Sequence, residues 1–211
     1  ALARSADVIL LQETRLALHA SHPHLESRFP LWAIYYNNPA DRKGGTAIMV
    51  SPRARHYYDT HAETLSAGLA GQAQCVRFTG RTRNGVTPIP ARVVNAYLAT
   101  GDNHHRRRAK QLRQLQSIPN DMHLVFGGDL NFVEHEHDTT TFTSYHKPTP
   151  EASEAWEAFV SKHSLWEVSQ PHHTNIAPNA SDPGKSRTSR IDRFYVSHSE
   201  ADLTQVVAGC S

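Results

Sequence analysis

Short runs of apolar residues recur along the chain, and most of them are continuous rather than alternating. Continuous runs rich in β-branched and aromatic residues predict buried strands, because a strand covered on both faces carries apolar side chains at every position. The segments that predict strands are residues 7–11, 31–36, 46–50, 92–98, 122–126, 191–196 and 203–208. Residues 74–78 alternate weakly between apolar and polar, which predicts an edge strand.

Two segments change to the period of a helix. Apolar residues recur three to four positions apart within residues 99–118, and Pro119 is expected to end that helix. Thr149, Pro150 and Glu151 are typical of the N-cap, first residue and first-turn acid of a second helix. Residues 37–45, 79–90 and 171–189 are rich in loop-forming residues. Many short strands with few helices predict an α/β protein, and hairpin-length connections predict mixed, mostly antiparallel sheets.

Composition narrows the classes of protein that this chain fits. The 211 residues suit a single domain with a sizeable core. No apolar run approaches the length of a membrane span, and the first run closes on Gln12 and Glu13, unlike a signal peptide. Two cysteines exclude a disulfide scaffold and favour a reducing compartment, the nucleus or cytoplasm. The net charge of +2 permits a nucleic-acid partner without identifying one.

Polar residues stand at or near the ends of several predicted strands. Glu13 follows the first strand, Tyr97 lies in the 92–98 strand, Asp129 and Asn131 follow the 122–126 strand, and Asp192 lies in the 191–196 strand. Taken singly, each has an ordinary structural role, such as a helix cap, a turn or a core tyrosine. Taken together, their oxygen atoms are ligands of the kind that Mg²⁺ or Mn²⁺ prefers. A hard cation among them would suit hydrolysis of a phosphodiester.

Five motifs occur in the order found in one large family. They are DVILLQET at 7–14, KGGTAIMVS at 43–51, VVNAYL at 93–98, VFGGDLN at 125–131 and SRIDRFYVS at 189–197. The chain resembles the endonuclease/exonuclease/phosphatase superfamily over essentially its whole length. This resemblance implies a four-layered α/β sandwich, in which two mixed sheets are flanked by helices. It also implies a monomeric Mg²⁺-dependent phosphodiesterase that uses in-line attack by water and forms no covalent intermediate.

The resemblance implies a role for each residue that matches a family motif. Glu13 matches the metal-binding glutamate, and Tyr97 matches the tyrosine that hydrogen-bonds the scissile phosphate. Asp129 matches the residue that orients or deprotonates the attacking water. Asn131 matches its partner, which holds the phosphate or the water, and Asp192 matches the aspartate that orients a catalytic histidine.

Within the superfamily, the endonuclease domain of non-LTR retrotransposons looks closest, so DNA is the expected partner. In that branch an aspartate follows the GGDFN segment, as Asp138 does here, and a threonine precedes the SRID strand, as Thr174 does. Thr100 stands where the family often has an asparagine, and its shorter side chain still offers a hydrogen-bond donor to the substrate.

Arginines surround the SRID motif at positions 187, 190 and 193. Some of them, with Arg190 foremost, are expected to contact nucleic acid. The run Arg106–Arg108 opens a predicted helix, and contact with a phosphate backbone is weighed equally with a solvated helix face. Residues 135–138 (HEHD) resemble a metal cluster, but in a loop the favoured interpretation is a solvated polar tip.

The chain departs from the family at both ends. The family has an upstream strand that ends in a metal-associated asparagine, and only six residues precede Asp7 here. It also has a Ser-Asp-His motif after the SRID strand, and this chain ends at Ser211. The resemblance therefore implies one domain without these two segments, with activity that is absent or strongly reduced. Two alternatives stay open: a phosphoesterase acting on inositol phosphate, sphingomyelin or RNA, and a non-catalytic nucleic-acid-binding remnant.

Overall fold

A computed structural model describes most of the chain. The described residues are 5–41, 43–100, 104–140, 148–170, 172, 174–178 and 186–197. The predicted strand at 203–208 lies outside these ranges. No helix within them is long and apolar enough to cross a membrane.

Short strands and four helices make up the regular structure of these ranges. The strands are β1 (Val8–Gln12), β2 (Ala33–Asn37), β3 (Thr46–Val50), β4 (Tyr58–Glu63), β5 (Ala73–Gly80), β6 (Ala91–Tyr97), β7 (His123–Asp129), β8 (Leu165–Glu167), β9 (Asn175–Pro178), β10 (Ser186–Ser189) and β11 (Asp192–Ser197). The helices are α1 (Pro23–Arg28), α2 (Pro52–Tyr57), α3 (His104–Leu115) and α4 (Pro150–His163), with 3-10 turns at Ala67–Leu69 and Glu136–Asp138. Thr149 caps α4 as predicted, because its Oγ1 accepts a hydrogen bond from the Ala152 N–H at 3.3 Å.

The described strands form two stacked sheets and a separate hairpin. The larger sheet has the order β4-β5-β6-β7-β11-β8, the smaller has the order β1-β3-β2, and β9 pairs with β10. Only β6 and β7 run parallel among these pairs, and they are joined through α3, the crossover that a parallel pair requires. The expectation of mixed, mostly antiparallel sheets flanked by helices is confirmed.

Apolar side chains fill two layers, one on each face of the larger sheet. Phe126 on β7 and Tyr195 on β11 pack against Leu112 of α3 and Phe159 of α4. On the opposite face, the two sheets pack on each other through a second cluster: Ile48, Val50, Val76, Phe78 and Val93, with Leu10 and Val125 beside them. Alternate residues of β6, β7 and β11 therefore point to the helices or to the gap between the sheets.

The elements that the sequence pattern does not predict are weakly patterned or short. Residues 74–78 belong to a longer strand inside the sheet, because β4 covers that edge. β4 carries a polar residue at every second position, as an exposed edge strand often does, so it lacks the apolar run by which the other strands are predicted. The composition of residues 171–189 predicts a loop, but this segment contains the β9–β10 hairpin. The helices α1 and α2 each have six residues, too few to establish a period in the sequence.

Candidate active site

The register of three adjacent strands brings three of the predicted residues to one end of the larger sheet. Asp129 at the end of β7 lies opposite Tyr97 of β6 and opposite Asp192 of β11. Directly opposed side chains on a sheet point to the same face, about 5 Å apart at their Cβ atoms. Because Val93 and Val125 face the smaller sheet, the period of two directs Tyr97 and Asp129 into the gap between the sheets.

Glu13 reaches this group from the smaller sheet. It follows β1, and its Oε1 accepts a hydrogen bond from the Tyr97 hydroxyl at 2.5 Å, across 84 positions of the chain. Its Oε2 pairs with the Arg15 guanidinium at 2.5 Å. Tyr97 and then Arg15 lower the pKa of Glu13, so this carboxylate stays charged. Burial and the hydrogen bond to Glu13 raise the pKa of Tyr97 to about 12, so the hydroxyl keeps its proton.

Asp129 has the most perturbed carboxyl group of the site. Burial, the charge of the facing Asp192 and the charge of Glu13 raise its pKa from 3.8 to about 7, against opposing contributions from the Asn131 N–H and Arg108. Two like charges opposite each other on adjacent strands repel. The result is a carboxyl group that exchanges a proton near neutral pH, which is the range in which a general base works best.

Asn131 holds Asp129 in place. Its backbone N–H donates to Asp129 Oδ1 at 2.8 Å, and its Nδ2 donates to the Leu98 carbonyl at 2.8 Å. Asn131 has a left-handed backbone with φ of 53°, and Glu13 likewise has φ of 52°. Such backbone strain in residues other than glycine is concentrated at functional sites. Both predicted residues therefore sit where the chain bends to place a polar side chain at the end of a strand.

The glycine pair of the second motif supports the turn that carries Glu13. The N–H groups of Thr14 and Arg15 donate to the carbonyls of Gly45 and Gly44, at 3.2 and 2.8 Å. Both glycines have positive φ near +92°. A Cβ atom on Gly45 would collide with Thr14 Oγ1. Glycine is required here because the two turns approach each other so closely.

Asn95 is a positioning residue that the sequence motifs do not single out. It is fully buried between the sheets, and its Nδ2 donates to the carbonyls of Leu11 and Ala47 at 2.8 and 2.9 Å. Gln12 Nε2 donates to its Oδ1 at 2.6 Å. These bonds join the sheets two residues before Tyr97, close to the turn that carries Glu13. The available signal was a lone amide within the apolar run VVNAYL.

The predicted substrate-binding residues lie in different environments. Thr100 is exposed and lines the same cavity as Tyr97. Thr174 is exposed too, but its Oγ1 accepts the backbone N–H groups of Ile191 and Asp192 at 3.3 and 3.1 Å, which fixes the start of β11. Arg190 is turned away from solvent and donates to Asp138 and to the Gln170 carbonyl.

The expectation of a solvated polar tip at residues 135–138 is wrong for Asp138, and Arg193 is not one of the arginines that could contact nucleic acid. Asp138 is not part of a solvated tip: it is buried, and it accepts bonds from the Arg190 and Arg193 guanidinium groups and from the His135 N–H. His135 and His137, in contrast, are exposed. Arg193 is fully buried and also pairs with Glu167 at 2.9 Å, so it cannot reach a nucleic acid. The side chain of Arg187 lies outside the described part.

A cavity of about 390 Å³ opens beside Tyr97. Its lining includes Glu13, Thr100 and the glycine backbone at Gly44, whereas Asp129 and Asp192 do not line it. No three His, Cys, Asp or Glu side chains among the described residues lie close enough to form a ready-made metal site. The donor chemistry nevertheless fits a hard cation, because mutually repelling carboxylates are the groups that such a cation neutralises.

Fold and site together define an α/β protein with two stacked sheets and carboxylates gathered at one end of both. A model of the Endonuclease/Exonuclease/phosphatase family matches residues 1–209, and the chain belongs to this family. Members of the family are hydrolases that act on phosphodiester bonds.

Solved structures share the fold at low sequence identity. An AP endonuclease from Archaeoglobus fulgidus matches with a TM-score of 0.59 and 12% identity, over 92% of this chain and 77% of its own. TDP2 from D. rerio, complexed with a single-strand DNA product, matches with a TM-score of 0.54 and 17% identity, over 95% of this chain and 74% of its own. No curated protein matches the sequence.

Proposed function

We propose that this protein is a divalent-cation-dependent DNA endonuclease of the retroelement type, with Mg²⁺ as the cation and Mn²⁺ as a substitute. One observation carries the proposal: Glu13 from one sheet bonds Tyr97 from the other, directly beside an Asp129 carboxyl that titrates near neutral pH. Phosphodiester hydrolysis needs a base for water, a donor for the phosphate and stabilisation of negative charge. These residues offer groups of each kind.

Each residue has a distinct task in the proposed reaction. Asp129, held by the Asn131 N–H, takes a proton from the attacking water as its oxygen bonds to phosphorus. On substrate binding, the Tyr97 hydroxyl exchanges its bond to Glu13 for one to a phosphate oxygen. The bond from phosphorus to the leaving oxygen then breaks, and that oxygen takes a proton from a second water. Glu13 would hold the cation, which when bound stabilises negative charge on the phosphate.

DNA as the substrate draws support from one structure of this fold, and the retroelement type draws support from one contact within the protein. The D. rerio TDP2 structure that shares this fold contains a single-strand DNA product. Thr174, the residue that matches the threonine of the retroelement branch, bonds the backbone where Asp192 begins β11. That contact gives the matched threonine a reason to be present, since it orients the strand that carries a site carboxylate.

Single-turnover nicking of supercoiled plasmid tests the proposal, with protein in excess over DNA so that slow cleavage is visible. Nicked circles are expected with Mg²⁺ or Mn²⁺ and not with EDTA. Asp129→Asn should lower the rate by about 100-fold or more, whereas Asp59→Asn, which removes a distant exposed carboxylate, should not. Cleavage that persists in EDTA or in Asp129→Asn would overturn the proposed mechanism.

The substrate is tested by comparing DNA with and without abasic sites, and with RNA, inositol phosphate and sphingomyelin. Equal nicking of intact and abasic plasmid supports the retroelement type, while a requirement for the abasic site contradicts it. If only RNA, inositol phosphate or sphingomyelin is turned over, the phosphodiesterase activity is supported and DNA is rejected as the substrate. Salt-dependent DNA binding without cleavage of any substrate would identify a non-catalytic binding module.

A further inference from the structure

A second cavity adjoins the one beside Tyr97. It encloses about 270 Å³ and reaches Lys110 and Gln114 on α3. The two cavities share Lys43, Gln72 and Arg107 as lining residues. They therefore form one continuous depression, which begins at the candidate active site and extends along α3.

Basic side chains dominate the rim of this depression. We call Arg15, Lys43, Arg107 and Lys110 together the basic trough. All four are exposed. Within the described part of the chain, the side chains of Lys43, Arg107 and Lys110 make no ion pair or hydrogen bond, so they do not serve the fold. Arg15 pairs with Glu13, and Asp41 also lines the second cavity, so four cations face two carboxylates. A row of cations in such excess attracts an anion and fits a row of phosphates.

The arginines of helix α3 lie on different faces of the helix. Arg107, Lys110 and Gln114 recur at spacings of three and four, which places them on one side of the helix. Arg108 is buried: it donates to the Ala99 carbonyl at 3.1 Å and lies over the Phe132 ring at 5.6 Å. Arg106 is exposed but lines neither cavity. The run of three arginines thus presents only Arg107 to the trough.

Hydrogen bonds connect the elements that form the floor of the trough. Gln111 on α3 accepts the Ala99 N–H at 2.9 Å and donates to Gln72 at 2.7 Å, so the helix is tied to the loop beneath it. Gly44 lines the end nearest the site, and a Cβ atom there would come within 3.3 Å of the Tyr97 ring. A bare backbone at this point lets a polymer approach the floor closely.

We infer that the basic trough binds the DNA backbone on one side of the scissile phosphate, with Lys43 and Arg107 at its near end and Lys110 further along. This inference rests on the proposed function for its substrate. It adds the direction in which the strand leaves the site and the side chains that hold it. Arg106 and Arg113, on the same helix but outside the trough, are assigned no contact with the backbone.

The salt dependence of DNA binding tests the inference without any cleavage. Binding of a short fluorescein-labelled duplex is measured by anisotropy in EDTA over a series of NaCl concentrations. The trough pair is a double variant that carries Arg107→Ala and Lys110→Ala. The control pair carries Arg106→Ala and Arg113→Ala, because it also removes two exposed cations from α3. Each phosphate contact contributes about 0.9 to the slope of log K against log salt. The trough pair should therefore lower the slope by about 1.8, and the control pair by far less.

Three outcomes would overturn the inference. Equal losses of slope in both pairs would indicate diffuse charge rather than a track. An unchanged slope in the trough pair would exclude phosphate contacts there. Binding of wild type to phosphatidylserine vesicles but not to DNA would assign the trough to a lipid surface. Failure of the proposed function can be distinguished from failure of this inference. If the slopes are as expected but wild type shows no metal-dependent nicking, the assignment of the trough stands and the proposed endonuclease activity is rejected.

Discussion

Replacing Asp129 with asparagine is expected to stabilise the fold above neutral pH while abolishing hydrolysis. The carboxyl group of Asp129 is destabilised in its charged form by burial, Asp192 and Glu13, which raise its pKa from 3.8 to about 7. Asparagine keeps an oxygen to accept the Asn131 N–H but carries no charge. The substitution thus removes the repulsion and leaves the local hydrogen bond in place.

The magnitude follows from linkage between protonation and folding. Because the native pKa is the higher one, the native state keeps a proton that the unfolded chain releases between about pH 4 and pH 7. This group therefore favours folding less and less as the pH rises through that window. One unit of pKa corresponds to about 1.4 kcal/mol, so the whole effect amounts to at most roughly 4 kcal/mol. Below about pH 4 the variant and wild type should be equally stable.

Urea unfolding from about pH 4 to about pH 8 measures the difference in free energy between Asp129→Asn and wild type. The difference should grow with pH and level off above about pH 7. Mg²⁺ added at the upper end of this range should stabilise wild type more than the variant, since a bound cation relieves the repulsion. Glu157→Gln, a change at an exposed carboxylate of α4, is the control. A variant less stable than wild type above neutral pH, or a difference independent of pH, would refute the reasoning.

Three further predictions concern the site and its support. Tyr97→Phe should lower single-turnover nicking by about 100-fold with little change in the urea midpoint, and full activity would contradict its contact with phosphate. Gly128→Ala should cost about 3 kcal/mol, because φ is +139° and the new Cβ would collide with the Ala96 carbonyl. Gly85→Ala, at φ +77° in open space, is the matched control and should cost less in the same urea titration. Asp138→Ala should cost about 3–5 kcal/mol by urea unfolding, since it strands buried guanidinium charges, and a neutral effect would show that they find other partners.

Local sequence patterns are sufficient to locate a strand or helix when its residues form an apolar run or a clear cap. Apolar runs locate β3, β6, β7 and β11, which contain fully buried residues, and the cap at Thr149 locates the start of α4. They also locate β1 and β2, although the residues of these two outer strands of the smaller sheet are only half-buried. Such elements can be predicted because their neighbours in the sequence share one environment. β4 and the β9–β10 hairpin lack that signal, since their pairing depends on contacts that a short apolar run does not encode.

The motifs are sufficient to identify the polar residues of the site. They do not indicate that Glu13 bonds Tyr97, that Asn95 joins the sheets beneath them, or that Asp129 titrates near neutral pH. These properties depend on distances and burial created when two sheets stack. A residue's charge state is set by its neighbours in space, and here those neighbours stand up to 84 positions apart.

The run Arg106–Arg108 shows the same division between what the sequence determines and what the tertiary structure decides. The amino-acid sequence by itself determined that cations cluster at the start of a helix, and that carboxylates follow buried strands. Only the tertiary structure decided that Arg107 faces the trough while Arg108 is buried, and that Asp138 and Arg193 pair in the interior. The order of residues along the chain is enough to give its composition and the spacing of its apolar residues. Which face meets solvent, and which charge meets its counter-charge, follows from how helices and sheets pack.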